Sequence, residues 1–238
     1  IKLMETWWNE IEQHSHRDQL SFNYAVWKTG IGFNYIDKNI FKSDWFKLDN
    51  KHSYQPSLIK QQNIGKIYYS VPFNCQKNIG VYYNEFINLL PNDNDYACFF
   101  DADTIITTSD YGCLIEQVIK EHPEYDMFTC YTNRVCCDWQ IHPLVDKQTN
   151  DIAYHMKFGK QLKDLNGSKI IDVTNNSLFS GMFFIVKKSS WKRIGGAITK
   201  GMLGVDNDIH QKIKKHGLKF GLITGMYIYH WYRNNNSN

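Results

Sequence analysis

A chain of 238 residues with 42% hydrophobic and 21% charged side chains can bury the core of one large domain, or of one medium domain with a flanking segment. Its net charge of +3 is small and its lysines are scattered, which excludes the basic stripe that a nucleic-acid partner requires. No apolar run approaches the ~20 residues of a transmembrane segment and no secretory leader is visible, so a cytoplasmic location is expected.

From Trp7 to Asp37 the apolar spacing predicts helix, with Leu20, Phe22, Tyr24, Ala25 and Trp27 on its apolar part, Gly30 as a stop, and a short strand Phe33–Ile36 after it. Residues 38 to 65 are polar and aromatic without a period, as in a linker or a wrapping segment. An N-terminal helical segment with its linker, residues 1–60, is therefore expected to precede an independent domain at 65–233 and a polar tail at 234–238.

That domain opens with a strand, Lys66 to Pro72, a turn through Phe73–Asn78, and a helix from Gly80 to Leu90. After the turn Pro91–Asp95, the apolar run Tyr96–Phe100 reads as a buried strand. Strand, helix and strand with short connections imply a parallel pair, which places Asn74 and Asp101 at neighbouring carboxyl ends, where open parallel sheets bind ligands. A helix from Ser109 to Glu121 and a strand from Asp126 to Tyr131 follow, then a long polar excursion from Thr132 to Val173, of the kind that forms binding or lid elements. The chain returns with the strand Phe179–Val186, a short helix Ser189–Ile194 closed by Gly195-Gly196, a helix from Gly204 to Lys215, and a last strand Lys219–Tyr229 leading to His230-Trp231-Tyr232-Arg233.

Six cysteines, Cys75, Cys98, Cys113, Cys130, Cys136 and Cys137, lack the C-x-x-C pairs of a zinc site, and buried free thiols in a reducing compartment are expected. Aromatic residues make up 15% of the chain, which suits a core and equally suits sugar platforms, with Trp139 and Trp231 as candidates.

The chemistry-bearing feature is Phe99-Phe100-Asp101-Ala102-Asp103. Alternate residues of a strand share a face, so Asp101 and Asp103 are close enough to hold one divalent cation, which would relieve their repulsion. A solvated turn that uses Asp twice is the plain alternative.

With its companions in order, this motif resembles the family 2 type glycosyltransferases, nucleotide-sugar transferases with the GT-A fold, over about residues 65 to 233. Val71-Pro72-Phe73-Asn74 resembles their first-strand segment and Phe99–Asp103 their metal motif. Phe179-Ser180-Gly181 to Val186 with Gly195-Gly196 resembles their acceptor-side strand and turn. Gly204-Val205-Asp206-Asn207-Asp208-Ile209 resembles the start of their catalytic helix, and His230 their C-terminal histidine. Val205 stands where the family has Glu, and the span between Asn74 and Asp101 holds one helix where such domains often have more. More weakly, His14 to Phe22 and Tyr24 to Trp27 resemble the end of another glycosyltransferase-like domain with an Arg-Asp-Gln helix start. That implies a piece of a longer two-domain enzyme, while the plain reading is an exposed helix start at Arg17-Asp18 capped by Ser15.

The resemblance implies an α/β, Rossmann-like GT-A fold with a mostly parallel central sheet flanked by helices. It implies Mn2+ or Mg2+ held by Asp101, Asp103 and His230, and Asp206 as general base, with Asp208 able to serve as well and a helix-start carboxylate as the structural alternative. Pro72, Asn74, Asn84, Asp101 and Arg233 are its candidates for the nucleotide side, with Lys77 a further one for phosphate. The expected partners are a nucleotide-sugar donor, with UDP-sugars favoured, and a hydroxyl acceptor that is a glycan, lipid-linked or protein group. The rival enzyme is a haloacid-dehalogenase-like phosphohydrolase, whose nucleophile motif Asp101-Ala102-Asp103-Thr104-Ile105 resembles. A sugar-nucleotide-binding domain without turnover is the third reading.

Overall fold

The computed structural model describes residues 2–13, 18–31 and 65–231. The chain divides into two compact units, residues 1–59 and 60–238. In the first, α1 (Lys2–Gln13) and α2 (Asp18–Thr29) form two helices where the apolar spacing predicts one. Trp7 meets Phe22 edge to face at 5.1 Å, Ala25 is fully buried, and Lys28 reaches Glu10 at 2.9 Å. Gly30 ends α2 in the left-handed region at φ +64°, its N–H donating to Val26 O, as a helix-stopping glycine does. The expected strand Phe33–Ile36, the Arg17 helix start and its Ser15 cap lie outside the described residues.

The second unit is α/β. In chain order it contains β1 (Ile67–Ser70), α3 (Ile79–Leu89), β2 (Tyr96–Phe100), β3 (Thr104–Ile106), α4 (Tyr111–Glu121), β4 (Met127–Thr132), α5 (Ile152–Asn166), β5 (Ile170–Asp172), β6 (Phe183–Lys187), α6 (Lys188–Arg193), α7 (Val205–Lys215) and β7 (Phe220–His230). Among the described residues these strands form one seven-stranded sheet in the order β1-β2-β6-β4-β7-β3, with β5 also pairing β7. The pairs β1/β2 and β4/β7 are parallel, and β2/β6, β4/β6, β3/β7 and β5/β7 are antiparallel. The expectation of a mostly parallel sheet is thus corrected to a mixed one. The cause is the route into β6: Val173 N–H donates to Phe220 O beside the start of β7, whereas Asp101 N–H donates to Met182 O at the end of β2. Entering at the carboxyl end of β2, the chain must run back against its neighbours.

Strand alternation divides the core. Ala97 and Phe99 of β2, with Phe184 and Val186 of β6, pack under α3, α6 and α7 against Tyr83, Ile87, Trp191, Val205, Ile209 and Ile213. Tyr96, Cys98, Phe183 and Ile185 point the other way, onto Leu114, Ile115, Val118 and Ile119 of α4. Burying a ring such as Phe99 contributes about 2–3 kcal/mol against leaving it in water. The excursion from Thr132 to Val173 is more ordered than its polarity suggests. It contains α5, which covers Tyr227 with Leu162 and Phe158, and β5. Gly159 lets α5 sit close, since a Cβ there would lie 2.4 Å from Thr107 Oγ1. None of the six cysteines is in a disulfide; Cys98, Cys130 and Cys137 are buried, while Cys75, Cys113 and Cys136 are exposed, so burial holds for only half of them. No helix among the described residues is long and apolar enough to cross a membrane.

Candidate metal centre

Asp101 stands just past β2, yet the strand does not carry on to Asp103. The Thr104 N–H and hydroxyl both donate to Asp101 O, at 3.2 and 2.6 Å, folding Asp101–Thr104 into a turn that feeds β3. β3 pairs with the end of β7, Thr104 opposite His230, and Trp231 N–H donates to Asp103 O at 2.9 Å. The turn, rather than strand alternation, is what brings the two carboxylates and the imidazole together. One ligand atom from each of Asp101, Asp103 and His230 lies within 4.8 Å of the others.

The donor set fits a hard divalent cation with one imidazole ligand. His230 Nδ1 lies 2.9 Å from Arg134 O, and because a carbonyl only accepts, Nδ1 carries a proton, so that in the neutral ring Nε2 holds the lone pair. Nε2 faces Asp103 Oδ1 at 3.3 Å. Two acceptors at that separation repel unless a proton or a cation lies between them. Burial pushes the His230 pKa down, against the pull of Asp103 in the other direction. Asp101 carries the complementary strain: burial first, then Asp103 and Asp206, push its carboxyl up to about 7. A bound cation would relieve all three.

Asp206, in the first turn of α7, is the third carboxylate. Its Oδ2 accepts Gly181 N–H at 2.9 Å, which holds its pKa down, but burial outweighs this and pushes it up. Gly181 permits the approach, since a Cβ there would lie 2.6 Å from Asp206 Oδ1. Neighbouring contacts fix the same loop. Asn207 Oδ1 accepts Phe179 N–H at 2.9 Å and Gln140 Oε1 accepts Ser180 N–H at 2.7 Å, while Gln140 Nε2 donates to Ser180 O. Asp101 N–H on Met182 O then joins this loop to the metal motif. Tyr83 lies near both acids: burial, then Asp206 and Asp101, push its hydroxyl pKa well up.

The remaining candidates are placed differently. Asp208 is tied to Lys212 at 2.8 Å and accepts Ile198 N–H at 3.2 Å. Asn84 accepts from Trp191 Nε1 and Ala197 N and donates to Ala197 O, each at 3.0 Å, stapling α3 to the Gly195-Gly196 turn. Asn74 Oδ1 accepts from Gln76 N and Asn78 N at 3.0 Å and closes the turn after β1, in which Lys77 is exposed at φ +58°. Pro72 is half-buried in the same segment, and Arg233 lies outside the described residues. Trp139 donates to Ser177 O and Leu178 O and packs edge-on against Phe220, whereas Trp231 is 48% exposed beside the centre. Sequence reasoning missed Tyr83, Gln140 and Asn133. Tyr83 is masked by an amphipathic helix and the other two by a polar stretch without period.

No protein-family model matches the chain, and no curated protein is significantly similar to it.

Proposed function

We propose that the chain is a metal-dependent glycosyltransferase of GT-A type, moving a sugar from a nucleotide-sugar donor, UDP-linked by preference, to a hydroxyl acceptor with inversion. One observation carries the reading: Asp101, Asp103 and His230 converge within 4.8 Å, and the carboxylate of Asp206 is held beside Asp101 by the backbone of Gly181.

Asp101, Asp103 and His230 are the residues that would hold Mn2+ or Mg2+. Such a cation supplies charge neutralisation for the departing nucleoside diphosphate. Asp206 takes the proton of the acceptor hydroxyl as that oxygen attacks the anomeric carbon from the face opposite the diphosphate; one in-line displacement inverts the centre. Burial raises the pKa of Asp206 and makes it a stronger base than a solvated aspartate. The Gly181 N–H fixes one carboxylate oxygen and leaves the other to meet the hydroxyl. Trp231, exposed beside the cluster, offers a ring face to a sugar.

A panel of UDP- and GDP-sugars, with and without Mn2+, tests this by release of nucleoside diphosphate, with p-nitrophenyl phosphate run beside it. Metal-dependent release from one donor supports the reading. Hydrolysis of the aryl phosphate with no donor turnover would replace it with the phosphohydrolase, and tight donor binding without release would leave a binding domain.

A further inference from the structure

Asn133 follows the last residue of β4 and is fully buried, an unfavourable place for an amide. The ladder between β4 and β7 ends at the pair Thr132 and Ile228. Two residues further along β7, the His230 N–H finds the side chain of Asn133 in place of a strand carbonyl, donating to Oδ1 at 2.7 Å. The Thr132 hydroxyl approaches the same oxygen at 3.3 Å, while Asn133 Nδ2 has no hydrogen-bond partner among the described residues. Half of this amide is idle and the other half grips a metal-ligand residue. The next residue supplies the second grip, since Arg134 O accepts His230 Nδ1–H at 2.9 Å. Consecutive residues therefore hold the main chain and the ring of His230, and the other ring nitrogen, Nε2, faces Asp103 at 3.3 Å.

We propose that Asn133, together with the Arg134 carbonyl, is the positioning element of the metal centre, presenting the lone pair of His230 Nε2 to a divalent cation. The inference rests on the metal-centre reading above. Asn133 touches neither substrate nor cation; it acts through His230.

The test uses Mn2+ alone, titrated calorimetrically into the full chain as wild type, His230→Ala, Asn133→Ala and Asn133→Asp. Loss of an outer partner of a metal-ligating histidine lowers affinity about 10–100-fold, and that is the expected effect of Asn133→Ala. Asn133→Asp keeps the acceptor for His230 N–H and is expected to keep binding. In metal-free wild type, the imidazole nitrogen shifts of His230 should show the proton on Nδ1. Wild-type affinity in Asn133→Ala, with His230→Ala weakened, overturns the proposal. Should Asn133→Ala fail to fold, lost Mn2+ affinity in folded Asn133→Asp, or a neutral His230 ring with its proton on Nε2 and none on Nδ1, overturns it equally. Wild-type protein that binds no Mn2+ would instead remove the metal centre itself, a separate failure.

Discussion

Gly181→Ala puts one methyl group where the structure has room for none. The new Cβ would lie 2.6 Å from Asp206 Oδ1 and 2.9 Å from its Cγ, so reaching an unstrained contact near 3.5 Å requires the carboxylate to retreat by about 0.9 Å. That retreat breaks the 2.9 Å bond from Gly181 N–H, a charge-assisted bond whose loss costs ~1.5–3 kcal/mol. The backbone at Gly181 is outside the left-handed region, so its conformation is open to alanine, which recovers ~0.4–1 kcal/mol from the unfolded chain. The net is a destabilisation of about 2 kcal/mol, a Tm drop of roughly 4–8 °C for a chain of this size. A base displaced by about 1 Å lowers turnover ~100-fold. Thermal unfolding of wild type, Gly181→Ala, Asp206→Ala and the double variant measures the coupling, with nucleoside-diphosphate release as the activity arm. In the Asp206→Ala background the clash is gone, and the alanine is expected to cost nothing. Wild-type Tm and turnover in Gly181→Ala, or an equal cost in both backgrounds, would refute the reasoning.

Three further outcomes follow from the same geometry. Asp101 has its pKa raised from 3.8 to about 7, so the folded state keeps a proton that the unfolded chain releases; metal-free stability falls as pH rises through that window, by at most about 4 kcal/mol. Mn2+, which binds the ionised form, should restore it, most strongly at the upper end; Tm curves for wild type and Asp101→Asn check this, and a flat wild-type profile would contradict it. Asp206→Asn can still accept Gly181 N–H, so it should bind donor with metal while transfer falls ~10²–10⁴-fold; an active variant removes the general-base assignment. Asn84→Ala loses three hydrogen bonds and should lower stability by about 3 kcal/mol with Mn2+ affinity unchanged. A weakened donor with unchanged Tm would instead return Asn84 to the nucleotide side.

What could be read from the chain was what local pattern controls. The apolar run Tyr96–Phe100 announces itself as a short continuous apolar stretch bounded by a turn, and the amphipathic α3, α4 and α7 do so because their burial follows a period of 3.6. The direction of β6 does not, because Phe183–Val186 is buried on both faces and has the same pattern run either way. α5 was hidden because its buried face is His155, Gly159 and Leu162, helical in spacing but only one of the three apolar. β3 is three residues long, too short for any period to show, yet it is the turn into β3 that carries Asp103 to His230. The ligand types were thus legible and their convergence was not, and Gln140 and Asn133 act through bonds to residues 40 and 97 positions away.

The most direct measurement is release of nucleoside diphosphate from UDP- and GDP-sugars by wild type and Asp103→Asn, each with Mn2+ and with EDTA. Release from one donor that needs Mn2+ and vanishes in a folded Asp103→Asn protein is the expected result. Release that persists in EDTA or in the variant, or no release from any donor by a protein that binds Mn2+, would contradict a metal-dependent sugar transferase.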